Sequence, residues 1–243
     1  MADLALVSET FVSVQGEGKL TGVPSWFLRL SGCNLRCRWC DTPYASWNAE
    51  GDTRSIGSLI DEARASGVRH AVVTGGEPMI LARLPEICAG LRDAGMHITI
   101  ETAGTVFPDD WDRSDGGLAC DLMSISPKLA NSTPTDDDRD PKRIWSERHE
   151  ARRLNVPVLN RLLAGFADRQ LKFVVESLSD LGEIDALLGG LSGFEPGDVM
   201  LMPEGTSVPE PASVRWAVDT CLKRGWRYCH RLHIELFGDT RGT

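Results

Sequence analysis

An α/β fold whose parallel strands form a partial, open barrel is predicted by two features of this 243-residue sequence. Short apolar runs alternate with stretches of helical periodicity, and each run ends in polar or glycine residues, the pattern of βα units that gather a site at one rim. About six such strands can be counted, which suits an open (β/α)6-like sheet better than a closed eight-stranded barrel. The length agrees, being close to the ~250 residues of one barrel-like domain. A single domain over residues 1–243 is therefore expected.

Taken in order, residues 4 to 14 are rich in Leu, Val, Thr and Phe and read as a strand feeding Gln15-Gly16-Glu17-Gly18. Glycines flanking an acid let backbone approach a ligand while the Glu projects from a tight turn; a plain hairpin would use the same residues. Trp26-Phe27-Leu28 with Leu30 is a second strand, interrupted by Arg29. A charge in a mostly buried strand needs a partner, and either a structural or a substrate carboxylate would serve. Ile56, Leu59, Ile60 and Ala63 mark one face of a helix from Ile56 to Ala65, ended by Gly67. Ala71-Val72-Val73 is a buried strand running into Thr74-Gly75-Gly76-Glu77-Pro78, ahead of a helix from Leu81 to Asp93. Strand, paired glycines and helix in that order are the layout of a ligand-binding loop at the carboxyl end of a parallel strand.

The alternation continues. Ile98-Thr99-Ile100 delivers Glu101 and Thr102, Leu118 to Met123 delivers Ser126-Pro127-Lys128, and Gln170 to Val175 carries Lys172. Between Asn131 and Arg143 the composition shifts to Pro, Thr and Asp, and Asp136-Asp137-Asp138 reads as a solvated loop rather than a metal cluster. Residues 144 to 163 look helical, with Arg148, Arg152, Arg153 and Arg161 on an exposed side, so 131–163 is expected to be an insertion, a lid or an oligomer contact. Val199 to Met202 is a strand into Pro203-Glu204-Gly205, Val214 to Arg224 an amphipathic helix stopped by Gly225, and Arg227 to Phe237 a last strand or turn.

Composition narrows the class. The net charge is -9 with no basic stripe, which argues against nucleic acid as a partner. No 18-residue apolar run exists and the first residues lack a basic-then-apolar leader, so neither a membrane span nor a secretory signal is expected, and the setting is read as cytoplasmic. Seven cysteines, three clustered and four scattered, are not a disulfide framework. Cys88, Cys120 and Cys221 sit in apolar segments and read as small core residues.

The clustered three carry the chemistry. Cys33, Cys37 and Cys40 fall within eight residues, so one loop can turn them towards one centre. A structural zinc wants four ligands, and no fourth Cys occurs before Cys88. A cubane iron-sulfur cluster ligated by three thiolates would leave one iron open to an outside ligand.

The C-x3-C-x2-C spacing, with Trp39 before the last Cys, resembles the signature of the radical S-adenosylmethionine superfamily. The Gly-Gly-Glu-Pro loop resembles the one that holds the cofactor's amino group there. Gln15-Gly16-Glu17-Gly18, Arg29, Cys40-Asp41-Thr42, Thr74 to Pro78, Glu101-Thr102, Ser126-Pro127-Lys128 and His233 together resemble the 7-carboxy-7-deazaguanine synthases. The resemblance implies contraction of 6-carboxy-5,6,7,8-tetrahydropterin to 7-carboxy-7-deazaguanine with loss of ammonia, started by a 5′-deoxyadenosyl radical. Its implied cofactors are a 4Fe-4S cluster on Cys33, Cys37 and Cys40, S-adenosylmethionine, and Mg2+ on Thr42. The implied substrate residues are Val14, Gln15, Gly16, Glu17, Arg29, Thr74, Glu101 and His233. For S-adenosylmethionine they are Trp39, Cys40, Asp41, Gly76, Ser126, Pro127, Lys128, Met202, Pro203, Glu204 and Gly205. No protein side chain is assigned as catalytic, since the radical arises on the cofactor. A flavodoxin or ferredoxin as electron donor and a homodimer are further implications. The tail after His233 is longer than in some family members. Two other classes share parts of the pattern: an activating enzyme for a glycyl-radical protein, and an electron-transfer iron-sulfur protein, which would need no cofactor loop.

Overall fold

The computed structural model describes residues 3–111 and 117–243; Met1 and Ala2, read above for a leader, lie outside them. The elements in chain order are β1 (Leu4–Val14), β2 (Pro24–Leu30), β3 (Asp52–Ser55), α1 (Ile56–Ala65), β4 (His70–Gly75), α2 (Leu84–Asp93), β5 (His97–Thr102) and β6 (Leu122–Ile125). Then follow α3 (Ile144–Arg152), α4 (Val156–Gly165), β7 (Arg169–Val175), α5 (Asp180–Gly189), β8 (Val199–Pro203), α6 (Pro211–Arg224), β9 (Arg227–Tyr228) and α7 (Leu232–Phe237). The strands form one open sheet in the order β3-β1-β2-β4-β5-β6-β7-β8-β9. From β2 to β9 every neighbouring pair is parallel, while β1 runs antiparallel to both β2 and β3. The expected open barrel of about six parallel strands is thus present, extended by the two-residue β9 and an antiparallel flank.

Because successive strand residues point to opposite faces, the sheet sorts its side chains by parity. Trp26, Leu28 and Leu30 of β2, Ala71 and Val73 of β4, Ile98 and Ile100 of β5, Met123 and Ile125 of β6, and Leu171, Phe173 and Val175 of β7 all join one core with α1, α2, α4 and α5. Their alternates, Arg29, Thr74, Glu101, Ser124, Gln170 and Lys172, lie on the other face. There the register pairs Arg29 with Thr74, Glu101 with Ser124, and Ser124 with Gln170, one polar row across four boundaries of the sheet. Near the amino ends of the strands the same face is closed by His70, whose ring bonds Ser25 (2.7 Å) and Thr99 (2.8 Å). Burial there pulls the imidazole down to about 4, so it stays neutral.

Three readings are corrected. The helix expected over 144–163 is two helices, because Pro157 belongs in a first turn and cannot sit inside a helix; Asn155 starts α4 by accepting from the Val158 N–H. Arg153 is not exposed: it is buried, bonding Glu150, Glu183 and the Lys128 carbonyl. The last segment is mostly helical, since β9 stops after two residues and α7 takes over, its first N–H donating to the Gly16 carbonyl at 2.9 Å. β3 carries too little apolar signal to have been seen, being a polar edge strand of Asp52–Ser55, whereas α5 was missed although Leu181, Ile184, Leu187 and Leu188 recur at helical spacing. The acidic run at 136–138 is a loop, as expected, with Asp136 and Asp137 taken by Arg143 and Arg139. Among the described residues no helix is long and apolar enough to cross a membrane.

Candidate active site

The carboxyl ends of the parallel strands, the cysteine loop and the chain's last turn enclose a cavity of about 610 Å³. Val14, Gln15, Gly16, Glu17, Arg29, Thr74, Glu101 and His233 all line it, with Cys33, Cys37, Cys40 and Thr42. Of the residues expected around S-adenosylmethionine, Trp39, Cys40, Asp41, Gly76, Ser126, Lys128 and Met202 line it as well. Pro127 is buried beside them, and Pro203, Glu204 and Gly205 border a separate, much smaller pocket with Cys229 and Arg231. Sequence reasoning did not place Lys172, Ser124, Arg231 or the tail residues 239–243 at the site, yet all line the cavity. A lysine set among Leu171, Phe173, Val174 and Val175 was the available signal for Lys172.

The polar row is internally bonded. Glu101 accepts from Gln15 Nε2 at 3.2 Å on one oxygen and from Thr74 Oγ1 at 3.0 Å on the other. Gln15 Oε1 in turn accepts from the Glu17 N–H at 3.2 Å, so the acidic turn and the sheet hold each other. The Glu17 carboxylate takes an ion pair from Lys172, with Arg231 Nε 3.6 Å from its other oxygen. Burial alone would raise the Glu17 carboxyl, but the Lys172 and Arg231 charges bring it down to about 2. The turn's backbone is equally constrained: a Cβ on Gly16 would lie 2.0 Å from His233 Nδ1, so glycine there is what admits the histidine.

The cysteine loop is gripped from outside the cavity. The Arg38 N–H donates to the Ser132 carbonyl at 2.9 Å and the Arg36 N–H to His149 Nδ1 at 3.1 Å. His149 Nε2 donates to Ser132 Oγ at 2.8 Å, and burial brings this imidazole down to about 4, which keeps it neutral for both bonds. Trp47 Nε1 donates to the Cys37 carbonyl at 2.9 Å, and Trp39 Nε1 to the Asn131 carbonyl at 3.1 Å. Residues 131–153 thus brace the loop from behind.

Gly76 sits where this loop meets β4. A Cβ there would lie 2.1 Å from the Gly32 carbonyl oxygen and 2.6 Å from that of Ala45, both backbone atoms that cannot yield. The expected reason for this glycine was room for the cofactor; the reason the structure gives is that the cysteine loop needs the space. Glu77, next along, is buried and fully used, bonding the N–H groups of Met79 and Ala103 and the Thr102 hydroxyl.

The donor set fits a multi-iron cluster. Among the described residues no three His, Cys, Asp or Glu side chains converge closely enough to hold a single metal ion; three free thiols line one cavity instead. Burial pushes the Cys33 thiol up to about 12 and raises Cys37 too, so both are protonated at neutral pH until a bound metal group displaces those protons. The Thr42 hydroxyl makes no capping bond to backbone and lies 3.8 Å from Cys40 Sγ, which leaves a hard oxygen in the cavity.

Residues 28–165 match the family model of the Radical SAM superfamily, more than half of the chain, and the chain belongs to that superfamily. Its cofactors are accordingly a 4Fe-4S cluster and S-adenosylmethionine. The 7-carboxy-7-deazaguanine synthase of Rhodopirellula baltica is 47% identical over 98% of this chain and 88% of its own. That of Halobacterium salinarum is 42% identical over 98% and 92%. The crystal structure of QueE from Escherichia coli superposes with a TM-score of 0.68 at 26% identity, covering 95% of each chain. Within the superfamily, the chain belongs to the 7-carboxy-7-deazaguanine synthases.

Two outcomes are expected. Replacing Cys33, Cys37 or Cys40 with Ala should abolish iron binding, read by iron content and absorbance after anaerobic reconstitution, whereas Cys88→Ala and Cys221→Ala should keep it and cost only packing. Lys172→Met should cost about 3–5 kcal/mol in urea unfolding at neutral pH, the usual loss when one partner of a buried ion pair is removed. The sign follows from Glu17: its carboxyl falls from 4.5 to about 2 on folding, so its stabilisation is full above 4.5 and is lost as pH falls through 2. The gap between variant and parent should therefore narrow over that window.

Proposed function

We propose that this cavity binds 6-carboxy-5,6,7,8-tetrahydropterin and converts it to 7-carboxy-7-deazaguanine with loss of ammonia. The observation that carries the reading is that every residue expected to hold the pterin lines the same cavity as the three cysteine thiols. Cys33, Cys37 and Cys40 would hold the cluster; bound there with S-adenosylmethionine, it supplies one-electron cleavage of the sulfonium and so a radical able to take a hydrogen atom from the substrate.

The chain's own residues orient and shield. Arg29 offers a planar guanidinium to the substrate carboxylate, a fork that matches two oxygens. Glu101 and Glu17 accept from the donor-rich edge of the pterin, and both are fixed in advance: Gln15 and Thr74 hold Glu101, while Lys172 keeps Glu17 ionised in a buried setting. Such prearranged acceptors reorganise little when substrate arrives. Trp39 and Lys128, whose ammonium stands 5.7 Å over the indole, wall the cofactor end and limit access of water. Thr42 would offer Mg2+ a hydroxyl ligand, alongside the substrate carboxylate and waters.

The whole chain acts as one catalytic unit in this reading, with residues 131–163 as an insertion serving the cysteine loop. A flavodoxin or ferredoxin supplies electrons, the setting is cytoplasmic, and the active form is a homodimer. Full-length relatives named as synthases leave an activating enzyme the weaker alternative.

The test is anaerobic incubation of reconstituted protein with the carboxytetrahydropterin, S-adenosylmethionine, reductant and magnesium, followed by mass spectrometry. The expected product is 7-carboxy-7-deazaguanine; cofactor cleavage without any deazapurine would overturn the assignment. Thr42→Val keeps the side chain's shape and removes its oxygen. It should lose the stimulation of turnover by magnesium while iron content stays at the parent level, and stimulation equal to the parent's would make the hydroxyl merely structural.

A further inference from the structure

β1 carries a bulge whose position explains an otherwise unassigned carboxylate. Val7 pairs with Leu30, and Glu9 pairs with Arg29, so β1 advances two residues where β2 advances one. Leu30 faces the helices and Arg29 the cavity. The extra residue, Ser8, therefore switches β1 from one face to the other and turns Glu9 onto the cavity side; re-aiming a side chain is what bulges near sites do. Without it, Glu9 would share the face of Val7, inside the apolar core.

Once turned, Glu9 becomes the meeting point of three donors. Its Oε1 accepts from Arg29 Nε at 2.6 Å and from the Tyr44 hydroxyl at 2.8 Å, and its Oε2 accepts from Arg241 Nε at 3.2 Å. Arg241 Nη2 also donates to the carbonyl of Ser8 at 3.2 Å, and its guanidinium stacks 4.0 Å from the Tyr44 ring. The chain's last residues are thereby fastened to the bulge, and residues 239–243 line the cavity. Burial would raise the Glu9 carboxyl, but these bonds outweigh it and hold it below the usual carboxylate range.

Two consequences follow for an incoming carboxylate. Among the described residues the bond through Nε is the one hydrogen bond the Arg29 guanidinium makes, so its two terminal nitrogens remain as a fork of fixed orientation. Glu9 is also shared between two guanidiniums, Arg241 turning its other side to Glu50 at 3.5 Å, so Arg29 does not have a carboxylate to itself. We propose that Glu9 is a positioning residue that aims Arg29 at the substrate carboxylate, and that Arg241, through the same Glu9, straps residues 239–243 against the cavity so that carboxylate binding and tail closure reinforce each other. This rests on the reading of Arg29 as the carboxylate receptor.

The test uses the full-length, cluster-reconstituted enzyme and compares Glu9→Gln, Arg241→Gln and Arg29→Lys. Glu9→Gln should raise the KM for the pterin about tenfold, the scale of one lost charged hydrogen bond, without raising the KM for S-adenosylmethionine. Added to Arg29→Lys, which has no Nε to aim, it should cost less than about twofold more, as expected for residues acting through one contact. Substrate should protect the tail from carboxypeptidase in the parent and fail to do so in Arg241→Gln, a variant at an exposed position that keeps the core intact. A pterin KM at the parent value in Glu9→Gln, while Arg29→Lys raises it, would overturn the positioning role and leave the carboxylate receptor standing. A parent-like KM in Arg29→Lys would remove both. Equal tail protection in Arg241→Gln and parent would overturn the strap.

Discussion

A row of polar side chains crossing a parallel sheet can persist only if each member hands its charge or hydrogen bond to a neighbour. That constraint shapes the rest of this molecule. Buried charge left unpaired is costly, so Arg29 is met by Glu9, Glu17 by Lys172, and Glu101 by Gln15 and Thr74. The opposite parity of the same strands is almost wholly apolar and packs on the helices. One face thus supplies cohesion and the other a set of prealigned acceptors and donors. The alternation of a β-strand is enough to keep the two tasks apart, with no need for a separate binding domain.

The cysteine loop follows a different logic. It has little regular structure, so its shape comes from what it leans on: β4 through the close approach at Gly76, and residues 131–153 through His149, Ser132 and Asn131. A neutral, buried imidazole is well suited to this, because it accepts from one partner and donates to another without bringing a charge near the thiols. Residues 131–153, part of a stretch read from sequence as an insertion, a lid or an oligomer contact, are on their inner side a support for the cysteine loop.

What the sequence disclosed and what it withheld divide along physical lines. Features with local signatures were legible: the three cysteines, the paired glycines after β4, the period-two and period-3.6 runs, and the turn at Gln15 to Gly18. Arg29 was legible as a question, since a charge in an apolar strand demands a partner, but nothing local named Glu9, twenty positions away across a bulge. Lys172 posed the same question, and its answer, Glu17, lies 155 residues earlier. The break before Pro157 was visible in principle, yet residues of good helix propensity on both sides masked it. β3 escaped because an edge strand of Asp52–Ser55 buries too little to leave a pattern. The tail's return to the cavity was beyond sequence reasoning, as it depends on an arginine finding a carboxylate and a bulged carbonyl that only the folded sheet brings together.

The bulge at Ser8 also sets a rule for how this strand can change over evolutionary time. Substitutions along β1 are local events, but the strand's length is not free. Removing one residue between Val7 and Glu9 would restore regular pairing and put the two halves of the strand out of phase. With Glu9 still opposite Arg29, the amino-terminal half would have to rotate, sending Ala5 and Val7 outward and bringing Leu4 and Leu6 inward. With Val7 kept in the core, the carboxylate would be carried away from the guanidinium it serves. Insertions and deletions should therefore be rarer here than in the loops, and the extra residue is as much a part of the site as the side chains it aims.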